Sequence, residues 1–212
     1  MKISLQLSLL ILALCVTMCK KMNIETIAEC DYSNFVYEMD AGCDGQVYPD
    51  PETSDYQIPF PAGTKIQMGL SNCSTSFHGE GSPDQYAFDF DFQEGTSFFA
   101  SRSGEVVKVI NDQASSGGGA GNYVVLDHGD QTFGLYLHSP EGGITAEVGQ
   151  FIEQGARLGS IGRSGLAGYP HLHFIVVKDQ YDYPYKGIPI SFKNVSPPTT
   201  VLQSYTTYQV CE

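Results

Sequence analysis

His171 and His173 flank Leu172 in "HLHF", at the start of an apolar run that continues through Ile175, Val176 and Val177. In a strand, residues i and i+2 point to the same face, roughly 6–7 Å apart. Two imidazoles side by side in an apolar strand are costly to bury unless something pairs with them, and metal binding or proton transfer provides such a pairing. Only three other histidines occur, His78, His128 and His138. A catalytic zinc takes three nitrogen or oxygen ligands and leaves one position open for water. His78, the carboxylate of Asp89 and the histidine pair supply such a set with donors to spare. Spacing alone does not say which metal is bound, or which histidine stays out. Asp91 lies on the same strand face as Asp89; it reads either as a solvated acid or as the fallback carboxylate. His128, in "DHGD", falls in a turn and is read as structural.

The elements that must position these groups are strands. In "QYAFDFDF", Tyr86, Phe88, Phe90 and Phe92 alternate with Ala87, Asp89 and Asp91, a period of two. "GEVVKVI", "NYVVLDHG", "TFGLYLH" and "HLHFIVVK" are similar short runs of β-branched and aromatic residues bounded by Gly, Asn, Asp or Ser. No stretch has helical periodicity with caps. The segment "SSGGGAGN" is a loop; with no following helix or Lys-Ser/Thr pair, it is not a phosphate cradle. The pattern is that of an all-β domain.

Composition narrows the function. The 212 residues carry a formal charge of -13, which excludes the Lys/Arg footprint of a nucleic-acid-binding protein. Lys2 followed by the apolar stretch from Leu7 to Met18 resembles an export signal and is too short for a comfortable membrane span. Cys19 stands where a bacterial lipoprotein signal would place its lipidated cysteine, so both membrane attachment through Cys19 and plain secretion are open. Beyond the leader remain Cys30, Cys43, Cys73 and Cys211, an even number that reads as two disulfides in an oxidising compartment. Of the three connectivities, Cys30–Cys43 as a local loop with Cys73–Cys211 as a clasp on the tail is the expected one. The organisation read from the chain is a leader (1–21), an acidic irregular extension (22–56), a β domain (57–192) and a tail (193–212).

Five motifs in order, "FHGEGSPDQYAFDF", "GTSFFASRSGEVVKV", "NYVVLDHGDQTFGLYLH", "VGQFIEQGARLGSIGRSG" and "HLHF", resemble the zinc metalloendopeptidases of the lysostaphin/LytM type. The likeness extends from about Pro59 to Phe192. It implies an antiparallel β sandwich with a groove, one zinc ion (Zn2+) per chain, and peptidoglycan as the substrate. It places the metal ligands on His78, Asp89 and His173, and two catalytic non-ligand histidines on His138 and His171. One departure stands out: many such enzymes have the first His and the Asp four residues apart, whereas His78 and Asp89 are separated by eleven positions. "VGQFIEQGARLGSIG" also resembles the hairpin of biotinyl/lipoyl-type sandwiches, without a modifiable-lysine signature. The expected activity is that of an exported zinc-dependent endopeptidase cutting cross-links or stem peptides of peptidoglycan. The alternative is a silent LytM-like module that activates other wall hydrolases. Silent relatives lack one or more of the five site residues, and this chain keeps all five.

Overall fold

The computed structural model describes residues 27–33, 35, 42–74, 76–114 and 118–212. The leader, Cys19 and part of the "SSGGGAGN" loop lie outside the described residues. What is described is all-β and antiparallel, with two single 3-10 turns, Pro51–Thr53 and Ser76–His78.

The main sheet is built around β9 (His171–Lys178). On one side of it lie β2 (Phe88–Asp91), β1 (Lys65–Met68), β12 (Thr207–Val210) and β11 (Val195–Ser196), in that order. On the other side lie β6 (Thr132–Ser139), β5 (Asn122–Asp127), β4 (Gly104–Ile110) and β7 (Phe151–Ile152). The short β10 (Lys186–Gly187) also pairs with β9. A second, two-stranded sheet of β3 (Ser97–Phe99) and β8 (Arg157–Ser160) packs across the first: the Phe98 ring stacks on Tyr136 at 5.9 Å between centroids.

The period-two pattern explains which side chains go where. Phe88 and Phe90 of β2, Leu172, Phe174 and Val176 of β9 and Tyr136 of β6 point into the main core with Phe98 and Phe192. Each fully buried aromatic of this kind stabilises the fold by about 1.5–3 kcal/mol relative to exposure. The opposite face of the same strands carries a smaller cluster of Ala87, Val125, Leu135, Leu137, Ile175 and Val177, partly covered by Tyr123, Tyr181 and Tyr185. His171 and His173 continue that second face beyond Ile175. The strand is therefore buried on both sides, and the histidines occupy the end of one of them.

β6 departs from regularity where it matters. Tyr123 pairs with Leu137 and Asn122 with Ser139, so His138 is an extra residue in a β-bulge, with φ +74°. Without the bulge, alternation would send His138 to the face opposite Leu137; the bulge turns it toward His173 instead. A left-handed backbone at a residue with a Cβ is unfavourable, and such strain concentrates at functional positions. Gly121 provides the complementary room. At φ +68°, a Cβ there would lie 2.5 Å from the Ser164 carbonyl carbon, and its absence lets Asn122 N donate to Ser164 Oγ at 2.8 Å.

The disulfide expectation is corrected. The bonds are Cys30–Cys211 and Cys43–Cys73, with Cα separations of 5.3 and 5.0 Å. Sequence proximity misled because Cys30 and Cys43 are bound to the body at separate places. Cys30 N donates to Glu212 O and Glu212 N to Ala28 O, so the two ends of the described chain run side by side. Cys43, whose N donates to the Tyr48 hydroxyl, is carried instead to Cys73. Residues 193–212, read as a tail, contribute β11 and β12 to the sheet.

Peptide mapping without reduction is expected to recover the pairs Cys30–Cys211 and Cys43–Cys73. Replacing Cys30 and Cys211 together by Ser should cost about 2–5 kcal/mol in urea unfolding; recovery of Cys30–Cys43 would contradict the pairing. The bulge makes a second prediction. His138→Gly should be more stable than His138→Ala by about 1 kcal/mol, because only glycine is at ease at that φ. Equal stabilities would remove the strain from the account.

Candidate metal centre and groove

Strand pairing assembles the centre. Asp89 of β2 lies directly across from His173 of β9, and Leu137 of β6 faces His173 from the other side. His173 Nδ1 is 2.9 Å from Asp89 Oδ1, His78 Nε2 is 3.4 Å from the same oxygen, and His171 Nε2 is 3.6 Å from it. All four residues, and His138, are buried. His78 arrives from the 3-10 turn before β2. That segment is fastened by Cys43–Cys73, by Cys73 N donating to Gln85 O at 2.7 Å, and by Asn72 Nδ2 donating to Ala87 O at 3.1 Å.

Two overlapping donor sets result, His78/Asp89/His173 and His138/His171/His173, each with its ligand atoms within 4.8 Å of one another. The first joins two imidazoles to a carboxylate, the donor chemistry that zinc accepts. Its contacts to Asp89 are comparable with the about 3.3 Å edge of a tetrahedron built on bonds of about 2.0 Å. His78 Nδ1 is buried without a hydrogen-bond partner among the described residues. The residues present thus fit a zinc ion.

His138 and His171 are held differently. Their Nδ1 atoms lie 2.9 Å from the carbonyl oxygens of Ser164 and Tyr169, respectively. A carbonyl only accepts, so Nδ1 carries the hydrogen in each neutral ring, and Nε2 keeps its lone pair. Their rings are 4.8 Å apart, and that of His138 is 5.6 Å from His173.

Electrostatics separates the five. Burial opposes ionisation of Asp89, yet hydrogen bonds from His173 and His78 hold its carboxyl well below the usual range. Burial likewise disfavours charge on His173, but Asp84 and Asp89 outweigh it and raise its pKa to about 9. Burial, with the neighbouring His173 and His171, lowers His138 to about 3. His171 is also lowered by burial, with Asp89 pulling the other way. Asp91, the fallback carboxylate, belongs to neither donor set. Burial raises it to about 6, a hydrogen bond with Tyr169 opposes that shift, and the nearby charge of Asp89 adds to it. His128 lies apart, its Nδ1 2.9 Å from Ser103 O and its ring edge-on to Tyr56.

The centre opens into a groove of about 1210 Å³ whose walls carry Tyr123, Tyr169, Tyr181, Tyr183, Tyr185 and Tyr205. Sequence reasoning did not single out these tyrosines, nor Ser164, nor Asp84, which lies 3.5 Å from His173 Nε2. The alternation of Tyr181, Tyr183 and Tyr185 in "YDYPY" was the one available signal. Asp84 and Ser164 reach the site only through loops, and no local pattern marks them.

Residues 84–184 match the sequence model of Peptidase family M23, a span that includes Asp89, His138, His171 and His173 and begins after His78. An uncharacterized metalloprotease of Haemophilus influenzae is 37% identical over 86 residues, covering 41% of this chain and 17% of that protein. The peptidoglycan DD-endopeptidase ShyA of Vibrio cholerae is 36% identical over 89 residues, covering 42% of this chain and 19% of that protein. The chain thus spans less than a fifth of the length of these curated relatives. Among solved structures, the antimicrobial peptidase lysostaphin from Staphylococcus simulans aligns with a TM-score of 0.48 at 21% identity, over 64% of this chain and 51% of that one. A zinc containing peptidase from Vibrio cholerae aligns with a TM-score of 0.42 at 21% identity, over 63% and 41%. On the strength of the family match and the two curated relatives, the segment from residue 84 to residue 184 is a Peptidase family M23 domain.

Proposed function

We propose that this chain is an exported zinc-dependent endopeptidase that cleaves peptide cross-links or stem peptides of peptidoglycan. The observation that carries the reading is the convergence of His78, Asp89 and His173 on one buried point, with the free Nε2 atoms of His138 and His171 beside it. A relative that bears the name of a peptidoglycan DD-endopeptidase supports the substrate class. Two disulfides fit an oxidising, extracytoplasmic location. The catalytic unit is assigned to residues 57–192, with 22–56 as an extension bound to it.

In this reading His78, Asp89 and His173 hold the zinc. A zinc ion there supplies Lewis acidity, lowering the pKa of a water toward about 7 and polarising the scissile carbonyl. The chain's own residues do the rest. His171 Nε2, the ring nitrogen whose protonation Asp89 favours, takes the proton of the attacking water and returns it to the departing amine. His138 stays neutral, and its Nε2 accepts a hydrogen bond that orients the water. The tyrosine-lined groove receives the peptide on either side of the scissile bond and excludes bulk water from it.

Purified protein is expected to hold about one zinc per chain and to release muropeptide fragments from peptidoglycan, read by mass, until a chelator is added. His173→Ala should lose the metal, whereas His171→Ala should keep it and lose about 10²–10⁴-fold in rate. An active His171→Ala enzyme, or equal zinc content in wild type and His173→Ala, would overturn the assignment.

A further inference from the structure

His173 presents two ring nitrogens, and the proposed ligand set uses one of them. Nδ1 faces Asp89 Oδ1 at 2.9 Å, on the side where His78 also points. Nε2 faces the other way, 3.5 Å from Oδ1 of Asp84. Asp84 is not loose in solvent. The hydroxyl of Tyr185 donates to its Oδ1 at 2.5 Å, and its own carbonyl accepts from Ala87 N at 2.9 Å. Tyr185 lies just before β10, which is itself hydrogen-bonded to β9, so the brace returns to the strand that carries His173. Asp84 comes from the long stretch between His78 and Asp89, and the extra residues there bring a carboxylate behind the histidine.

A carboxylate can only accept from an imidazole, and His173 faces one at each nitrogen, Asp89 at Nδ1 and Asp84 at Nε2. Were a metal ion to take the lone pair of Nδ1, on the side of Asp89 and His78, the ring hydrogen would be on Nε2, facing Asp84. A histidine that ligates a metal through one nitrogen commonly donates the other N–H to a carboxylate, which fixes the ring's tautomer and orientation and raises its basicity. We propose that Asp84, held in place by Tyr185, is the positioning residue of the centre: it fixes the tautomer and orientation of His173 and so sets the affinity for zinc. The inference rests on the ligand assignment made under Proposed function and adds two residues to it. Tyr185 acts only through Asp84.

That chain of dependence gives the test. Zinc dissociation constants are measured by chelator competition at one pH for wild type, Asp84→Asn, Tyr185→Phe, the double variant and His173→Ala, together with the melting temperature of each metal-free protein. Asp84→Asn should still bind one zinc, about 10–100-fold more weakly than wild type, with the metal-free melting temperature little changed. Tyr185→Phe should weaken binding in the same direction by less. The double variant should lose no more than Asp84→Asn alone, whereas two unrelated structural defects would add. Wild-type affinity in Asp84→Asn, alongside loss of zinc in His173→Ala, overturns the positioning role and leaves the ligand set standing. Should Asp84→Asn fail to fold, unchanged affinity in Tyr185→Phe overturns the role in its place. Absence of zinc binding by wild type overturns both readings together.

Discussion

Asp89 is a buried carboxylate, and the rest of the molecule is arranged around keeping it ionised. Removing a carboxylate from water costs several kcal/mol unless partners replace the lost hydration. Here the partners are the ring nitrogens of His173, His78 and His171, all within 3.6 Å of one oxygen. The pairing of β2 with β9 delivers the first and last of these. A slip of β2 by one residue would set Phe88 or Phe90 beside His173 in place of Asp89 and turn the carboxylate toward the core. The aromatic core is therefore what holds the register, and the register holds the site.

The remaining groups come from irregular structure, each tied down by a specific device. His78 sits on a single 3-10 turn anchored by the Cys43–Cys73 bond and by hydrogen bonds to the segment ahead of β2. His138 sits in a bulge with a left-handed backbone, oriented by Ser164 and made possible by the glycine at 121. Among the described strand residues with a Cβ, His138 alone has a left-handed backbone, and strain is stored there. The regular strands bring in Asp89, His171 and His173, and the irregular segments add His78 and His138.

How far the sequence revealed this follows the same line. Alternation in "QYAFDFDF" and "HLHFIVVK" places Phe88, Phe90 and Phe174 in the core and Asp89, His171 and His173 on the opposite face, as the sheet has them. Period two is enforced locally and can be read locally. The turning of His138 depends on a bulge between β5 and β6, and periodicity alone would send it the wrong way. The disulfides depend on where the extension runs across the body, which no spacing of cysteines encodes. Asp84, which faces His173, and Tyr185, which bonds Asp84, are 101 positions apart, and only the folded chain brings them together.

The central claim is that one metal ion is held by His78, Asp89 and His173, while His138 and His171 remain free for chemistry. It is tested most directly by a crystal structure of the zinc-loaded protein with an anomalous difference map at the zinc edge. The account predicts a single peak bonded to two imidazoles and the carboxylate of Asp89. A peak bonded to His138, His171 and His173 with Asp89 uncoordinated would contradict it.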